Sequence, residues 1–162
     1  MTIYESLKSD HDKVEKLLQK LNKAQSAEAD ERTFQTMKTE LILHSKAEEK
    51  VFYSALRAHS EARDLVQHAQ GEHKKVEELL EEMSDLDPQE EDFRTQLEEL
   101  HSAVKDHVEE EEGKMFDLAR KLIPSDEARR LDESFQQEKN NLKSELPEAA
   151  GAQAQPRARA RR

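Results

Sequence analysis

The 162-residue chain contains no cysteine and no tryptophan, and it has only three glycines, four prolines and 4% aromatic residues. Without cysteine it can form neither disulfides nor thiolate metal sites, which excludes zinc-finger and iron–sulfur proteins. With so few helix breakers and 39% charged residues, the composition is typical of helices with solvated outer faces. We therefore expect an all-α protein.

Long apolar runs are also missing from the sequence. No segment is apolar over the length of a bilayer, and the first ten residues lack the basic and apolar regions of a signal peptide. The length suits one domain with a single core. We expect a cytoplasmic protein without a membrane partner; the sequence leaves the oligomeric state open, and we favour a monomer.

The charge is unevenly distributed along the chain. The formal net charge is −11, but residues 147–162 hold one glutamate and four arginines, a net +3, so residues 1–146 carry −14. An acidic surface repels nucleic acid and anionic lipid, so neither is an expected partner. The arginine-rich tail contains no aromatic residue and is a weak signal for nucleic-acid binding.

Hydrophobic periodicity and turn residues predict five helices. They cover about residues 2–23, 31–57, from the break at 59–60 to 84, from Asp87–Pro88 to 122, and 125–146. We expect three parts: an antiparallel, up-down-up-down four-helix bundle in residues 1–123, a covering helix in 124–146, and a disordered tail in 147–162.

Each of the first four helices has ionisable residues at positions predicted to lie in the core. Apolar residues recur every three or four positions and form one stripe per helix. Each stripe also contains a histidine, and two of them contain a glutamate one turn later. The six residues at these positions are His11, His44, Glu48, His73, His107 and Glu111. Because an unpaired buried carboxylate costs several kcal/mol, protons, cations or metal must neutralise this core, and we favour metal.

An internal repeat links the six positions. The segment around His11 returns around His73 at an offset of 62, and the His44–Glu48 motif returns as His107–Glu111 at an offset of 63. Two similar hairpins related by a pseudo-two-fold axis predict a dinuclear site on that axis.

The residue types suit iron or manganese. Two carboxylates can bridge cations about 3.5 Å apart, with imidazoles on the outer sides. With an oxo or hydroxo bridge added, about one open position remains per metal. A small diatomic ligand or a peroxide would bind there.

Each residue also has an ordinary structural explanation. A single histidine on an apolar face is more often a hydrogen-bonded core residue, and either glutamate could lie at the surface among its acidic neighbours. The coincidence of six positions argues against both. Tyr53 is expected to pack beside the site, with a second-shell or ligand role as the alternative. We assign His59, His68 and His101 to the surface.

The order His, His-x-x-x-Glu, His, His-x-x-x-Glu in residues 2–122 resembles the haemerythrin-like HHE cation-binding domain. The resemblance implies an antiparallel four-helix bundle around an oxo-bridged di-iron centre that binds oxygen or related molecules. It further implies that the four histidines are terminal ligands and that Glu48 and Glu111 bridge the metals.

One position departs from the oxygen-carrying members. Those proteins have a second histidine one turn after the third-helix histidine, and here Glu77 stands there, with Glu15 as its repeat partner. Either carboxylate could complete a metal's shell, but Val14 and Val76 take the inward positions. We therefore expect Glu15 and Glu77 to be second-shell or solvent-facing residues.

Three function classes remain. The preferred one is a di-iron protein that binds oxygen, nitric oxide or peroxide in sensing, storage or stress protection. The alternatives are an enzyme, namely a di-iron oxidase, peroxidase or nitric oxide reductase, and a structural bundle without a functional metal.

Overall fold

The computed structural model describes residues 1–146, and all regular structure in this part of the chain is helical. This confirms the all-α class; the predicted disordered tail, 147–162, lies outside the described residues. The helices are α1 (Ile3–Asn22), α2 (Ala27–Glu48), α3 (Ser54–Arg57), α4 (Arg63–Ser84), α5 (Glu91–Glu110), α6 (Phe116–Leu122) and α7 (Ser125–Glu145). None of the described helices is both long and apolar enough to cross a bilayer.

Two π-helical turns interrupt the long helices at equivalent places. Glu49–Tyr53 joins α2 to α3, and Glu111–Met115 joins α5 to α6, so each helix continues through the turn. The two turns begin 62 residues apart, within one residue of the 63-residue offset between the two His-x-x-x-Glu motifs. Such turns occur mostly as single insertions within α-helices, frequently at functional sites.

The π turns shift the buried face of the helix away from the predicted apolar stripe. A π turn contains one extra residue, which rotates the part of the helix that follows it. A regular 3.6-residue period continued past Glu48 would place Val51 and Ala55 inside, but both are only partly buried. Phe52, Tyr53 and Leu56 are fully buried instead.

Two helix starts also differ from the prediction. Helix α2 begins at Ala27, four residues before the predicted start, because the Ser26 hydroxyl accepts a 3.1 Å hydrogen bond from the Ala29 amide. Helix α5 begins at Glu91 rather than at Pro88. The Asp87 carboxylate instead accepts a 2.9 Å bond from the Gln89 amide and closes a turn before the helix.

The helices form a bundle with two apolar clusters. Helix α1 packs against α2 and α4 against α5, while α7 packs across α1 and α2. One cluster surrounds Phe52, Phe116 and Phe135, and the other surrounds Phe34 and Phe93. The six ionisable core positions lie along their helices between residues of the two clusters.

Candidate metal centre

The six predicted residues are all buried in the middle of the bundle. The exposed fractions are 0% for Glu48, 1% for Glu111, 5% for His44 and 7% for each of the other three histidines. Glutamate and histidine are seldom this buried without a partner, so the centre needs a compensating charge.

The side chains converge through their Nε2 and Oε atoms. Glu48 Oε1 lies 3.3 Å from His44 Nε2 and 3.2 Å from His73 Nε2. Glu111 Oε1 lies 3.1 Å from His11 Nε2, and its Oε2 lies 3.8 Å from His107 Nε2. Two overlapping groups of donor atoms result: His11, His44, Glu48 and Glu111, and Glu48, His73 and His107, each with its atoms within 4.8 Å of one another.

The Nδ1 atom of each of the four buried histidines, which points away from the centre, contacts a carboxylate. Eight side chains therefore form four pairs. The Nδ1 atom of each imidazole lies 2.7–2.9 Å from a carboxylate oxygen. The pairs are His11 with Glu112, His44 with Asp10, His73 with Glu49, and His107 with Glu72. Metal-binding histidines typically carry such a partner, because it fixes the ring and leaves the other nitrogen free to bind the ion.

These four carboxylates were not identified as functional from the sequence, although they occupy repeat positions. Asp10 and Glu72 each precede a first-motif histidine, and Glu49 and Glu112 each follow a core glutamate. Their contacts with the histidines follow the same repeat. Asp10 and Glu72 hold the histidine of their own hairpin, whereas Glu49 and Glu112 reach across to the other hairpin.

The inward atoms have no hydrogen-bond partner among the described residues. They are Nε2 of His11, Nε2 of His44, both carboxylate oxygens of Glu48, and Oε1 of Glu111. Leaving such atoms unsatisfied costs about 1–3 kcal/mol each, more when they are charged. The combination of imidazole nitrogens and carboxylate oxygens fits iron or manganese, which would satisfy all of them at once.

The electrostatics of the metal-free centre favour positive charge. Burial lowers the pKa of His11, but contacts with Glu111 and Glu112 outweigh it and raise the pKa to about 9. Burial is likewise outweighed at His44, where Glu48 and Asp10 raise the pKa to about 9, and at His73, where Glu48 and Glu49 raise it to about 10. In the metal-free centre the protonated imidazoles therefore supply the positive charge that bound metal ions would otherwise supply.

Glu48 shows the complementary behaviour. Burial raises the pKa of its carboxyl group, yet the charge of His44 and the contacts with His44 and His73 hold that pKa well below the usual value. Glu48 is therefore an anion at neutral pH, as a metal ligand must be.

Tyr53 lies directly against the centre. Its hydroxyl donates a 2.6 Å hydrogen bond to Glu111 Oε2 and lies 3.5 Å from His73 Nε2, and its ring stacks on that of His73. Burial, together with the charges of Glu48 and Glu111, raises the pKa of Tyr53 well above 10. The phenol stays protonated and is available as a hydrogen-bond donor.

The other predicted positions lie outside the centre. The Glu15 carboxylate lies 3.0 Å from His101 Nε2, and Glu77 is exposed. Neither forms part of the buried groups of donor atoms. His68 is exposed, as expected for a surface histidine, while His59 and His101 are half-buried.

Two openings reach the imidazoles. A cavity of about 20 Å³ is lined by the four histidines and by apolar residues that include Val14, Leu41, Val76 and Val104. A groove of about 300 Å³ between α2 and α4 reaches His73 and Glu49 from the surface. The groove has Lys46, Lys74 and Glu77 along its walls.

Comparison with known families supports a cation site. Residues 2–119 match the family described as the hemerythrin HHE cation binding domain. A protein of Nostoc sp. strain PCC 7120 named DNA nickase is 27% identical over 153 residues, which cover 94% of this chain and 43% of that protein. The chain thus spans less than half the length of this relative. No solved structure gave a significant match.

Proposed function

The chain belongs to the haemerythrin HHE cation-binding domain family, and on this premise we propose that it is a non-haem di-iron protein that binds oxygen or a related small ligand. His11, His44, His73 and His107 would be terminal ligands, and Glu48 and Glu111 would bridge the two ions. Manganese is the alternative metal, because it accepts the same donor atoms.

One observation carries this proposal. Each imidazole directs Nε2 at a buried carboxylate while a second carboxylate holds its Nδ1 atom. A purely structural histidine needs only one hydrogen-bonded partner. Four rings oriented alike around two buried carboxylates, three of whose four oxygens have no hydrogen-bond partner among the described residues, are what a metal pair requires.

The proposed architecture follows from the same family. The four long helices would run antiparallel in an up-down-up-down bundle in residues 1–123, with 124–146 as a covering helix. We propose a monomer, because each bundle would contain a complete ligand set.

The small cavity supports a diatomic or peroxide-sized ligand. A space of about 10–15 Å³ holds one water-sized molecule, so a cavity of about 20 Å³ excludes anything much larger. Its apolar walls favour a weakly polar ligand over a free ion. The groove that reaches His73 gives such a ligand a path from the surface.

A second candidate function is that of an oxidoreductase. A bound iron pair would pass electrons from an external reductant to oxygen, nitric oxide or peroxide, and this reduction also requires protons. Tyr53 holds a proton 2.6 Å from Glu111 Oε2. This contact places a proton beside a proposed metal ligand, which favours an enzyme over a simple carrier.

The activity named for the relative is a weaker candidate. Most of that protein lies outside the region shared with this chain. Residues 1–146 carry a net charge of −14, which repels the phosphate backbone of DNA. We therefore propose no nucleic-acid partner for the bundle.

Metal analysis together with spectroscopy tests the proposal. Protein purified after iron-replete growth should contain close to two irons per chain and show near-ultraviolet charge-transfer bands. Reduction should bleach these bands and air should restore them. Slow, stoichiometric recovery favours ligand binding, whereas repeated turnover with a reductant favours the oxidoreductase. Absence of stoichiometric iron and of any stabilisation by added iron would contradict both.

A further inference from the structure

A second group of potential metal ligands lies at the surface of the bundle. His68 and Glu72 are one turn apart on α4, and Glu110 faces them from α5. His68 Nε2 lies 3.2 Å from Glu72 Oε2 and 3.0 Å from Glu110 Oε1. The side chains are 59% exposed for His68 and 39% for Glu110, so the group opens to solvent.

Glu72 connects this group to the buried centre. Its Oε1 atom accepts from His107 Nδ1 at 2.8 Å, while its Oε2 atom faces His68. One carboxylate therefore touches both a proposed ligand of the iron pair and the surface group.

The sequence repeat allows this surface group to be compared with the equivalent positions of the first hairpin. The repeat counterparts of His68, Glu72 and Glu110 are Ser6, Asp10 and Ala47. Asp10 holds His44 as Glu72 holds His107.

Helix α7 covers all three counterparts. Ser6 donates a hydrogen bond to Asp132, Ala47 belongs to the same apolar cluster as Phe135, and the Lys139 ammonium lies 2.9 and 2.8 Å from the two oxygens of Asp10. On the side of the bundle that α7 covers, the Lys139 ammonium therefore neutralises the Asp10 carboxylate.

On the opposite side of the bundle no lysine or arginine takes the place of Lys139 in the described contacts of Glu72. Instead Glu110 brings a second carboxylate oxygen within 4.8 Å of a Glu72 oxygen. Two carboxylates this close repel each other, and a shared cation offsets that repulsion. The imidazole beside them supplies a third metal-binding atom.

We propose that His68, Glu72 and Glu110 bind a divalent transition-metal ion at the surface and deliver it past His107 to the buried centre. A tetrahedral ion with bonds of about 2.1 Å places its ligands about 3.4 Å apart, close to the observed separations. Water would complete the shell, so the ion can exchange. The binding site stands by itself; only the delivery role rests on the proposed function.

Cobalt(II) titration of the full-length, metal-free protein tests the site, with equilibrium dialysis to count bound ions. The wild type should bind one ion more than His68→Ala and one more than Glu110→Gln. Both variants keep the Glu72–His107 contact, so the buried centre should retain its own ions. His59→Ala is the matched control, because His59 belongs to none of the described ligand groups, and it should bind as the wild type does. Equal numbers of bound ions in the wild type and His68→Ala would overturn the site.

Stopped-flow mixing of the metal-free protein with iron(II) in air-saturated buffer, where dissolved oxygen oxidises the bound iron, tests delivery. The charge-transfer bands of the buried centre should form several-fold more slowly in His68→Ala than in the wild type and reach the same final intensity. An unchanged rate would overturn the delivery role. If the buried centre took up no metal at all, the proposed function would fail, yet a cobalt ion lost on His68→Ala would still establish the surface site.

Discussion

The phenol of Tyr53 donates a 2.6 Å hydrogen bond to Oε2 of Glu111, across the interface between the two helical hairpins. The repeat does not reproduce this contact, because the counterpart of Tyr53 is Phe116, which has no hydroxyl group. The two halves of the centre are therefore chemically different: one proposed bridging carboxylate receives a phenolic proton and the other does not.

Removing this hydroxyl should weaken the protein and alter its redox behaviour. Tyr53→Phe should lower the free energy of unfolding of the metal-free protein by about 1.5–3 kcal/mol, because a buried hydrogen bond to a charged group is lost. The iron-loaded variant should reoxidise faster in air, since Glu111 then donates more charge to the metal. Urea denaturation and the reoxidation time course measure the two effects.

Tyr4→Phe is the matched control for this experiment. The Tyr4 hydroxyl is buried and has no hydrogen-bond partner among the described residues, so its removal should leave stability nearly unchanged. Equal effects of the two substitutions would show that the Glu111 contact contributes nothing specific.

Substituting a proposed bridging carboxylate should abolish the metal pair. We expect Glu48→Gln to bind at most one iron per chain, because an amide is neutral and does not bridge two cations well. Glu77→Gln removes an exposed carboxylate from α4 and should retain both irons. Metal analysis after dialysis measures the ratio. Two irons in Glu48→Gln would mean that the bridging assignment is wrong.

The carboxylates that contact the histidine Nδ1 atoms should affect how tightly iron binds but not how many irons bind. Glu112→Gln should weaken iron binding by about 10–100-fold, as expected when the partner of a metal-binding histidine is lost. Glu109→Gln, at an exposed position of the same acidic segment, is the control and should bind normally. Competition with a chelator gives both affinities, and identical values would refute the role of Glu112.

The metal-free protein should lose stability as the pH rises. His11 and His44 have pKa values raised to about 9, and that of His73 is raised to about 10. Their protonated forms stabilise the fold fully below about pH 6.5, the pKa of an unfolded histidine. This contribution declines above that pH and is lost once the pH passes 9–10.

Iron-loaded protein should behave differently in the same experiment. Metal replaces the protons on the imidazoles, whose pKa values are raised to about 9 and 10, so metal binding should strengthen as the pH rises toward this range. Urea denaturation at pH 6, 8 and 10, with and without iron, compares the two forms. Parallel pH profiles would argue that metal and protons do not compete at these rings.

Several features of the fold were predictable because they depend on local periodicity. The apolar stripes identified the long helices and the six core positions, and the structure buries all six residues together. Their roles as metal ligands remain a prediction. The starts of α2 and α5 were missed, because a serine cap and an aspartate turn set them rather than the apolar pattern.

The π turns could not be predicted from the same periodicity. A regular helix after Glu48 would bury Val51, whereas the inserted residue turns Tyr53 toward the centre. The contact between Tyr53 and Glu111 therefore exists only because the backbone departs from the 3.6-residue period on which the prediction rests.

The sequence by itself determined the helical class, the repeat and the six buried positions proposed as metal ligands, since each depends on residue type and on spacing within one helix. Only the tertiary structure decided which of the many acidic residues holds each histidine. Those contacts join different helices, so spacing along one helix cannot reveal them. For the same reason, only packing distinguished the side of the bundle where Lys139 contacts Asp10 from the side where His68, Glu72 and Glu110 face solvent.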